Sequence, residues 1–347
     1  MTMWRRDKRR GMQAAQKRHL TESSTRMARI AVFGVGAIGG WVAARLGAQD
    51  HELSVLARGQ TLANLNDRGL MLESAGRIQH VRVKASGDPH ALGAQDILFL
   101  AVKAPTLPSL AATLAPLIGP DTLVVPMLNG VPWWFMGDAV PLRSVDPDGA
   151  LAKAIPLANV VGCVVHASAS CPAPGHVALR MADRLILGEP NGEVSDRVEQ
   201  LATMLVEADL PAVASPDVRG EIWYKLWGNM TMNPISALTL ATADQILDDP
   251  LIEAFILSVM AEAQAIGAKI GCPITQSGAD RNAVTRKLGA FKTSMLQDVE
   301  GGRALELDAL LAAPLEIAAR IGIATPAMDT LFGLSRLMGK SRQLYGN

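Results

Sequence analysis

The segment Arg29-Ile-Ala-Val-Phe-Gly-Val-Gly-Ala-Ile-Gly39 decides how this chain folds. Its first five residues are an apolar, partly β-branched run of strand length, and an alanine-rich stretch that favours a helix follows to about Ala48. The glycines have the spacing G-x-G-x-x-G, in which the first permits a tight turn, the second admits a pyrophosphate and the third lets the helix pack on the strand. A strand, a glycine-rich turn and a helix in this order predict a dinucleotide-binding unit. The residues predicted to bind the dinucleotide are Gly34, Val35, Gly36, Ala37, Ile38 and Gly39.

The residue that follows the second predicted strand indicates which dinucleotide is bound. This strand runs from Glu52 to Ala57, and Arg58 comes next, where an NAD-binding protein usually carries Asp or Glu. A carboxylate accepts a hydrogen bond from the ribose 2′-hydroxyl, whereas a guanidinium suits a 2′-phosphate. We therefore predict NADP(H) as the cofactor. An ordinary surface arginine at a strand end is the alternative.

Two more polar residues stand at predicted strand ends. Lys103 follows the buried-type run Asp96–Val102, and Asn129 follows the run Leu123–Leu128. Ligands of open α/β sheets bind beyond the carboxyl ends of the strands, so both residues are candidates for the same site. A solvated lysine and a turn-forming Asn-Gly pair are the alternatives.

The pattern of the chain changes in its second half. Strand-like runs alternate with helical segments as far as a short strand near Ala212, and after Pro216 the periodicity is helical throughout. We predict an α/β fold with a Rossmann-type doubly wound sheet in residues 27–213 and an all-helical domain in residues 214–347.

Composition excludes several classes of protein. Of the residues, 49% are apolar, so a large core is expected. Because 33 basic residues balance 33 acidic ones, we do not expect binding of nucleic acid through overall positive charge. No uninterrupted apolar run of about 18 residues predicts a membrane span. The three cysteines and six histidines lack CxxC, HxxxH and HExxH spacings. We expect no metal site, no disulfide framework and a cytoplasmic location.

The first 26 residues carry eight basic and two acidic side chains and contain no apolar stretch of the kind found in secretory signals. We expect them to be a disordered basic extension that the folded protein does not need. A transit peptide and a nucleic-acid-binding tail are the alternatives.

The segment Glu221–Pro234 carries the most distinctive polar pattern of the helical half. Lys225, Asn229 and Asn233 follow one another at intervals of four residues among aromatic and methionine side chains, so they share one helix face. This pattern predicts a polar stripe that faces a pocket, with Lys225 as a proton donor because burial lowers the pKa of an ammonium group. Pro234 predicts that the helix ends or kinks at Asn233. A snorkelling lysine with helix-ending asparagines is the alternative.

Six motifs together resemble the ketopantoate reductase (2-dehydropantoate 2-reductase) family over about residues 29–335. They are GVGAIG at 34–39, AVKA at 101–104, LNG at 128–130, WYKL at 223–226 with its later Asn-Pro, SMLQD at 294–298 and ELD at 306–308. The resemblance implies reduction of ketopantoate to pantoate by NADPH, on the route to pantothenate and coenzyme A.

The resemblance also implies a role for each matching residue. It makes Lys225 the general acid at the ketone and places Asn129 between the substrate and the nicotinamide. It implies that Glu306 orients the nicotinamide ribose and that Lys103 lies along the cofactor. The residues that it implies in substrate binding are Asn129, Lys225, Asn229, Asn233 and Ser294.

Some positions depart from the pattern of the family. Leu128 stands where the family usually has Gln, while Phe291 and Ala243 stand where asparagines are expected. The aromatic run Trp133–Phe135 adds bulk that we expect near the mouth of the site. These departures leave open a related reductase of another 2-keto acid. A non-catalytic NADPH-sensing protein that uses the basic arm is a further alternative, and a homodimer is possible.

Overall fold

The structure is a computed structural model that describes residues 27–346, so the predicted basic extension, residues 1–26, lies outside the described residues. The strands are β1 Arg29–Phe33, β2 Glu52–Leu56, β3 Leu70–Ser74, β4 Arg77–Val81, β5 Lys84–Ser86, β6 Gln95–Leu100, β7 Ile118–Pro126, β8 Gly162–Ala173, β9 His176–Gly188 and β10 Ala212–Ala214. The helices are α1 Ala37–Leu46, α2 Gly59–Arg68, α3 Ala111–Leu114, α4 Ala150–Ala154, α5 Asp196–Glu207, α6 Val218–Thr239, α7 Ala243–Asp248, α8 Pro250–Lys269, α9 Gly278–Arg286, α10 Ser294–Glu300, α11 Ala313–Ile321 and α12 Pro326–Ser341.

A parallel sheet of order β5-β2-β1-β6-β7 forms the first layer. β1 lies at its centre, where Val32 pairs with Val55 of β2 and Phe99 of β6. These strands read as nearly continuous apolar runs because helices or a second sheet cover both of their faces. The carboxyl ends of β1, β2, β6 and β7 therefore meet at one edge, as the sequence predicts.

A second sheet of order β10-β9-β3-β4, with β8 paired to β9, packs against α1. β3 and β4 form an antiparallel hairpin in this sheet. β4 ends at Val81, and the next strand leaves the hairpin to pair with β2 in the first sheet. The predicted fold class, a Rossmann-type sheet followed by a helical C-terminal region, is confirmed.

Helix α6 runs through the middle of the helical region, and the expectation that it ends at Asn233 is wrong, while a kink there stays a prediction. It continues to Thr239 with Pro234 inside it. The segment around Pro234 is buried almost completely, so packing on all sides stabilises the helix against the loss of one backbone hydrogen bond. The indole N–H groups of Trp223 and Trp227 donate to the carbonyls of Ala263 and Met260 on α8, at 3.1 and 2.9 Å.

The aromatic run Trp133–Phe135 also departs from expectation. All three side chains are buried in the hydrophobic core instead of lining the mouth of a site, and Phe135 stacks on Trp223 with ring centroids 5.9 Å apart. The run thus joins the loop after β7 to α6.

Within residues 27–346 one helix, α8, is long and apolar enough to cross a membrane. It contacts α6, α11 and α12, and its Ile256, Val259 and Ala263 are fully buried in the core that these helices share. One side of α8 is therefore a packing surface of the fold.

Candidate active site

The glycine-rich loop after β1 has the geometry that its spacing predicts. Gly34 has a φ of +99°, and a Cβ there would lie 2.7 Å from Val102. A Cβ at Gly39 would lie 2.0 Å from the carbonyl oxygen of Gly34, so only glycine allows α1 to start so close to the strand. A Cβ at Gly36 would meet nothing within 4 Å. The loop thus presents backbone to open space at the N-terminus of a helix, which suits the phosphates of a dinucleotide.

A cavity of about 540 Å³ opens beside this loop. It is lined by Gly34, Val35 and Gly36 of the loop and by Arg58, whose guanidinium pairs with no residue in 27–346. An unpaired guanidinium one strand away from this loop is available to an anionic group of a ligand.

Several residues that line the cavity have no counterpart among the predicted site residues. They are Thr61, Gly87, Thr113, Arg303 and the tip of the β8–β9 hairpin, residues 171–174. The hairpin tip is held by the Asn64 side chain, which donates to the carbonyl of Pro174 at 3.0 Å. The Cys-Pro-Ala-Pro sequence of this tip predicts only a turn, so the sequence contains no signal that the tip lines this cavity.

Lys225 of α6 reaches the carboxyl edge of the parallel sheet. Its ammonium donates to Asn129 Oδ1 at 2.9 Å and to the carbonyl oxygen of Val165 at 2.7 Å. Burial lowers the pKa of this ammonium from 10.5 to about 8. An ammonium has three N–H donors, so one of them remains for another acceptor.

Asn129 connects Lys225 to Glu306. The Asn129 amide donates to Glu306 Oε2 at 3.5 Å, and the backbone N–H of Ala104 donates to Glu306 Oε1 at 3.2 Å. Burial raises the pKa of the Glu306 carboxyl above its ordinary value, while the nearby Lys103 charge and these two donors oppose that shift. Lys225, Asn129 and Glu306 are therefore consecutive members of one hydrogen-bonded chain.

The loop that carries Asn129 is fixed against the helical region. The next residue, Gly130, has a φ of +78°, and a Cβ there would lie 2.4 Å from the carbonyl oxygen of Ala309. The backbone N–H of Val131 donates to that same carbonyl at 2.8 Å. Ala309 lies in a π-helical turn, Asp308–Ala312, just after Glu306. Glycine at position 130 thus brings Asn129 and Glu306 together.

The other predicted substrate residues lie on α6 and at the start of α10. Asn233 is buried, Asn229 is half-buried and Ser294 is exposed. None of these three side chains hydrogen-bonds to another residue within 27–346, so their polar atoms can bind a ligand.

Lys103 lies after β6, and its ammonium pairs with the carboxylate of Asp298 and donates to the carbonyl of Ala304 at 3.4 Å. Asp298 also accepts a hydrogen bond from Arg303 Nε at 2.9 Å. This buried carboxylate therefore joins Lys103, in the loop after β6, to Arg303, which lines the cavity. Contact of Lys103 with a cofactor remains a prediction.

His166 follows Val165 on β8 and is half-buried. Burial, together with the charges of Lys225, Arg184 and Arg281, lowers its pKa from 6.5 to about 4, although Asp183 opposes this shift. The ring is therefore neutral at pH 7.

A Rossmann-type sheet with a glycine-rich loop, joined to a helical region that supplies a half-buried lysine, defines a two-part oxidoreductase. Two family models match the chain: "Ketopantoate reductase PanE/ApbA" over residues 30–192 and "Ketopantoate reductase PanE/ApbA C terminal" over residues 217–339. The chain belongs to the ketopantoate reductase family.

Individual relatives agree with this membership. A 2-dehydropantoate 2-reductase of Mesorhizobium japonicum is 42% identical over 327 residues, which cover 91% of this chain and 99% of the relative. A crystal structure of a candidate ketopantoate reductase from Ralstonia solanacearum MolK2 has a TM-score of 0.89 and 52% identity, and the match covers 92% of this chain and 100% of that one.

A D-mandelate dehydrogenase in a ternary structure with NADH and anilino(oxo)acetate shares the fold. Its TM-score is 0.79 at 20% identity, over 91% of this chain and 99% of the other. The fold therefore also occurs in a dehydrogenase named for a different substrate.

Proposed function

We propose that this protein reduces 2-dehydropantoate to pantoate with NADPH, with Lys225 as the general acid, on the route to pantothenate and coenzyme A. The single observation that supports this most is the chain Lys225–Asn129–Glu306, which sets a half-buried ammonium at the carboxyl edge of a Rossmann-type sheet. A bound nicotinamide supplies the hydride, and the protein supplies orientation and charge.

The proton comes from Lys225. Two of its N–H groups are taken by Asn129 and Val165, and the third is available to the ketone oxygen of the substrate. Negative charge grows on this oxygen as hydride arrives, and the ammonium stabilises the charge and then transfers a proton to it. A pKa of about 8 keeps most of the lysine protonated at pH 7 and makes it a stronger acid than a solvated lysine.

Asn129 and Glu306 act on the lysine and on the cofactor. Asn129 holds the ammonium in place from the sheet side, and the Glu306 carboxylate holds Asn129 and is available to a ribose hydroxyl. Asn229, Asn233 and Ser294, with free polar atoms, hydrogen-bond to polar groups of the substrate.

NADPH is favoured over NADH by Arg58. Its guanidinium lines the cavity beside the glycine-rich loop and has no acidic partner within the described residues, so a 2′-phosphate would gain a charge-assisted hydrogen bond there. A bare ribose would gain nothing from it.

A related reductase of another 2-keto acid is the second candidate. Leu128, Phe291 and Ala243 replace polar residues that the family pattern places near the substrate, and Phe291 is exposed. The homodimer and the cytoplasmic location remain predictions from the sequence.

The test is steady-state oxidation of NADPH with a panel of 2-keto acids. The proposal expects the highest kcat/KM with 2-dehydropantoate. A higher value with another 2-keto acid would select the second candidate, and no turnover with any of them would refute both.

A further inference from the structure

One arginine outside the predicted site lies directly against the helix that carries Lys225. Arg281 of α9 places its guanidinium over the ring of Tyr224, 5.4 Å from the ring centroid. A Cβ at Gly228 would lie 2.9 Å from Arg281 Nη2, so the absence of a side chain there makes room for the guanidinium. Arg281 therefore contacts two residues that lie one turn apart on α6.

This contact places the guanidinium beside the polar stripe of α6. Gly228 comes three residues after Lys225 and immediately before Asn229. Residues three apart on a helix are surface neighbours, so a group seated on Gly228 lies next to Lys225. The charges of Arg281 and Lys225 both contribute to the lowered pKa of His166, so both cations lie near this residue of β8.

Arg281 has no acidic partner among residues 27–346. Its Nη1 donates to Thr285 Oγ1 at 3.3 Å, and its Nε is buried without a hydrogen-bond partner. Two neighbouring arginines differ in this respect, since Arg286 pairs with Asp248 and Arg184 pairs with Asp183. A guanidinium without an acidic partner is available for charge-assisted hydrogen bonds to an anionic ligand.

We propose that Arg281 binds the carboxylate of the 2-keto acid and so sets the specificity of the enzyme for an anionic substrate. This inference rests on the proposed function. In a 2-keto acid the carboxylate is bonded to the ketone carbon, so a group that binds it must lie next to the group that protonates the ketone oxygen. Arg281 meets this requirement beside Lys225, and its planar fork matches the two oxygens of a carboxylate.

The test compares Arg281→Gln and Arg281→Lys with the parent enzyme and with Lys287→Gln, a matched control that removes an exposed cation at the end of the same helix. With NADPH saturating, Arg281→Gln should raise the KM for 2-dehydropantoate about 10- to 100-fold and leave the KM for NADPH unchanged. Arg281→Lys should recover little of this loss, because an ammonium cannot make the bidentate contact. Lys287→Gln should behave like the parent.

A binding measurement separates this inference from the proposed function. Calorimetry on the enzyme–NADP⁺ complex compares 2-oxoisovalerate with its methyl ester, which keeps the ketone and lacks the charge. The parent should prefer the acid, and Arg281→Gln should bind acid and ester alike. The preference for the acid over the ester can be measured even if the parent does not oxidise NADPH. Absence of NADPH oxidation would refute the proposed function and leave this inference to the calorimetry.

The structural alternative is that Arg281 only packs α9 onto Tyr224. In that case Arg281→Gln would lower Tm while the KM and the preference for the acid stay within about twofold of the parent. That result would overturn the inference.

Discussion

Lys225 and Asn129 lie 96 residues apart in the sequence, and their side chains are joined by a hydrogen bond of 2.9 Å between Nζ and Oδ1. The lysine belongs to a central helix of the helical region, and the asparagine follows the last strand of the parallel sheet. Neither region contains the site by itself. The bond therefore fixes the Lys225 ammonium relative to the edge of the sheet where the cofactor is expected.

Removal of Asn129 should impair the reaction through the lysine. In Asn129→Ala the ammonium loses one acceptor and Glu306 loses one donor, so kcat should fall about 10- to 100-fold, the usual range for a hydrogen bond to a charged group. Because an acceptor stabilises the protonated form, the alkaline limb of the pH profile should also move to lower pH.

The matched control is Asn66→Ala, which removes an exposed amide from α2. Steady-state kinetics across pH measures both effects. An Asn129→Ala profile that overlays the parent profile would show that the hydrogen bond does not position the lysine.

The pH dependence of the parent follows from the pKa of Lys225. The reaction needs the protonated ammonium, so kcat/KM should be constant below about pH 8 and fall as the pH rises through that value. In the complex the substrate carboxylate stabilises the ammonium, so the limb in kcat should lie at higher pH than the limb in kcat/KM. A kcat/KM profile that stays flat to pH 10 would contradict a lysine with a lowered pKa as the acid.

Selection of the cofactor should depend on Arg58. Arg58→Ala should raise the KM for NADPH about 10- to 100-fold and hardly change the KM for NADH, because only NADPH has the 2′-phosphate. Arg68→Ala, at the other end of the same helix, is the control. If the parent uses both cofactors equally well, the role of Arg58 is refuted.

Periodicity and local motifs predict much of this molecule. The glycine-rich turn, its flanking strand and the change to helical periodicity after Pro216 are local features, and the structure confirms each. The stripe of Lys225, Asn229 and Asn233 is likewise visible from spacing, because residues four apart share a helix face.

Long-range packing accounts for what could not be predicted. Pro234 stays inside α6 because the residues around it are buried. The aromatic run Trp133–Phe135 is in the core, where Phe135 stacks on Trp223 of α6. The hairpin tip at residues 171–174 and Arg303 reach the cavity beside the glycine-rich loop through the arrangement of whole elements. Short sequence motifs do not predict such contacts between distant elements.

The central claim is that Lys225 donates the proton, and the most direct test is the kcat of Lys225→Ala together with its affinity for NADPH. We predict that kcat falls by about 10² to 10⁴, the range for loss of a general acid, while the Kd for NADPH stays the same. Lys225→Gln keeps hydrogen-bond donors but has no proton to transfer at neutral pH, so it should be nearly as slow. A kcat close to that of the parent in either variant would contradict the account.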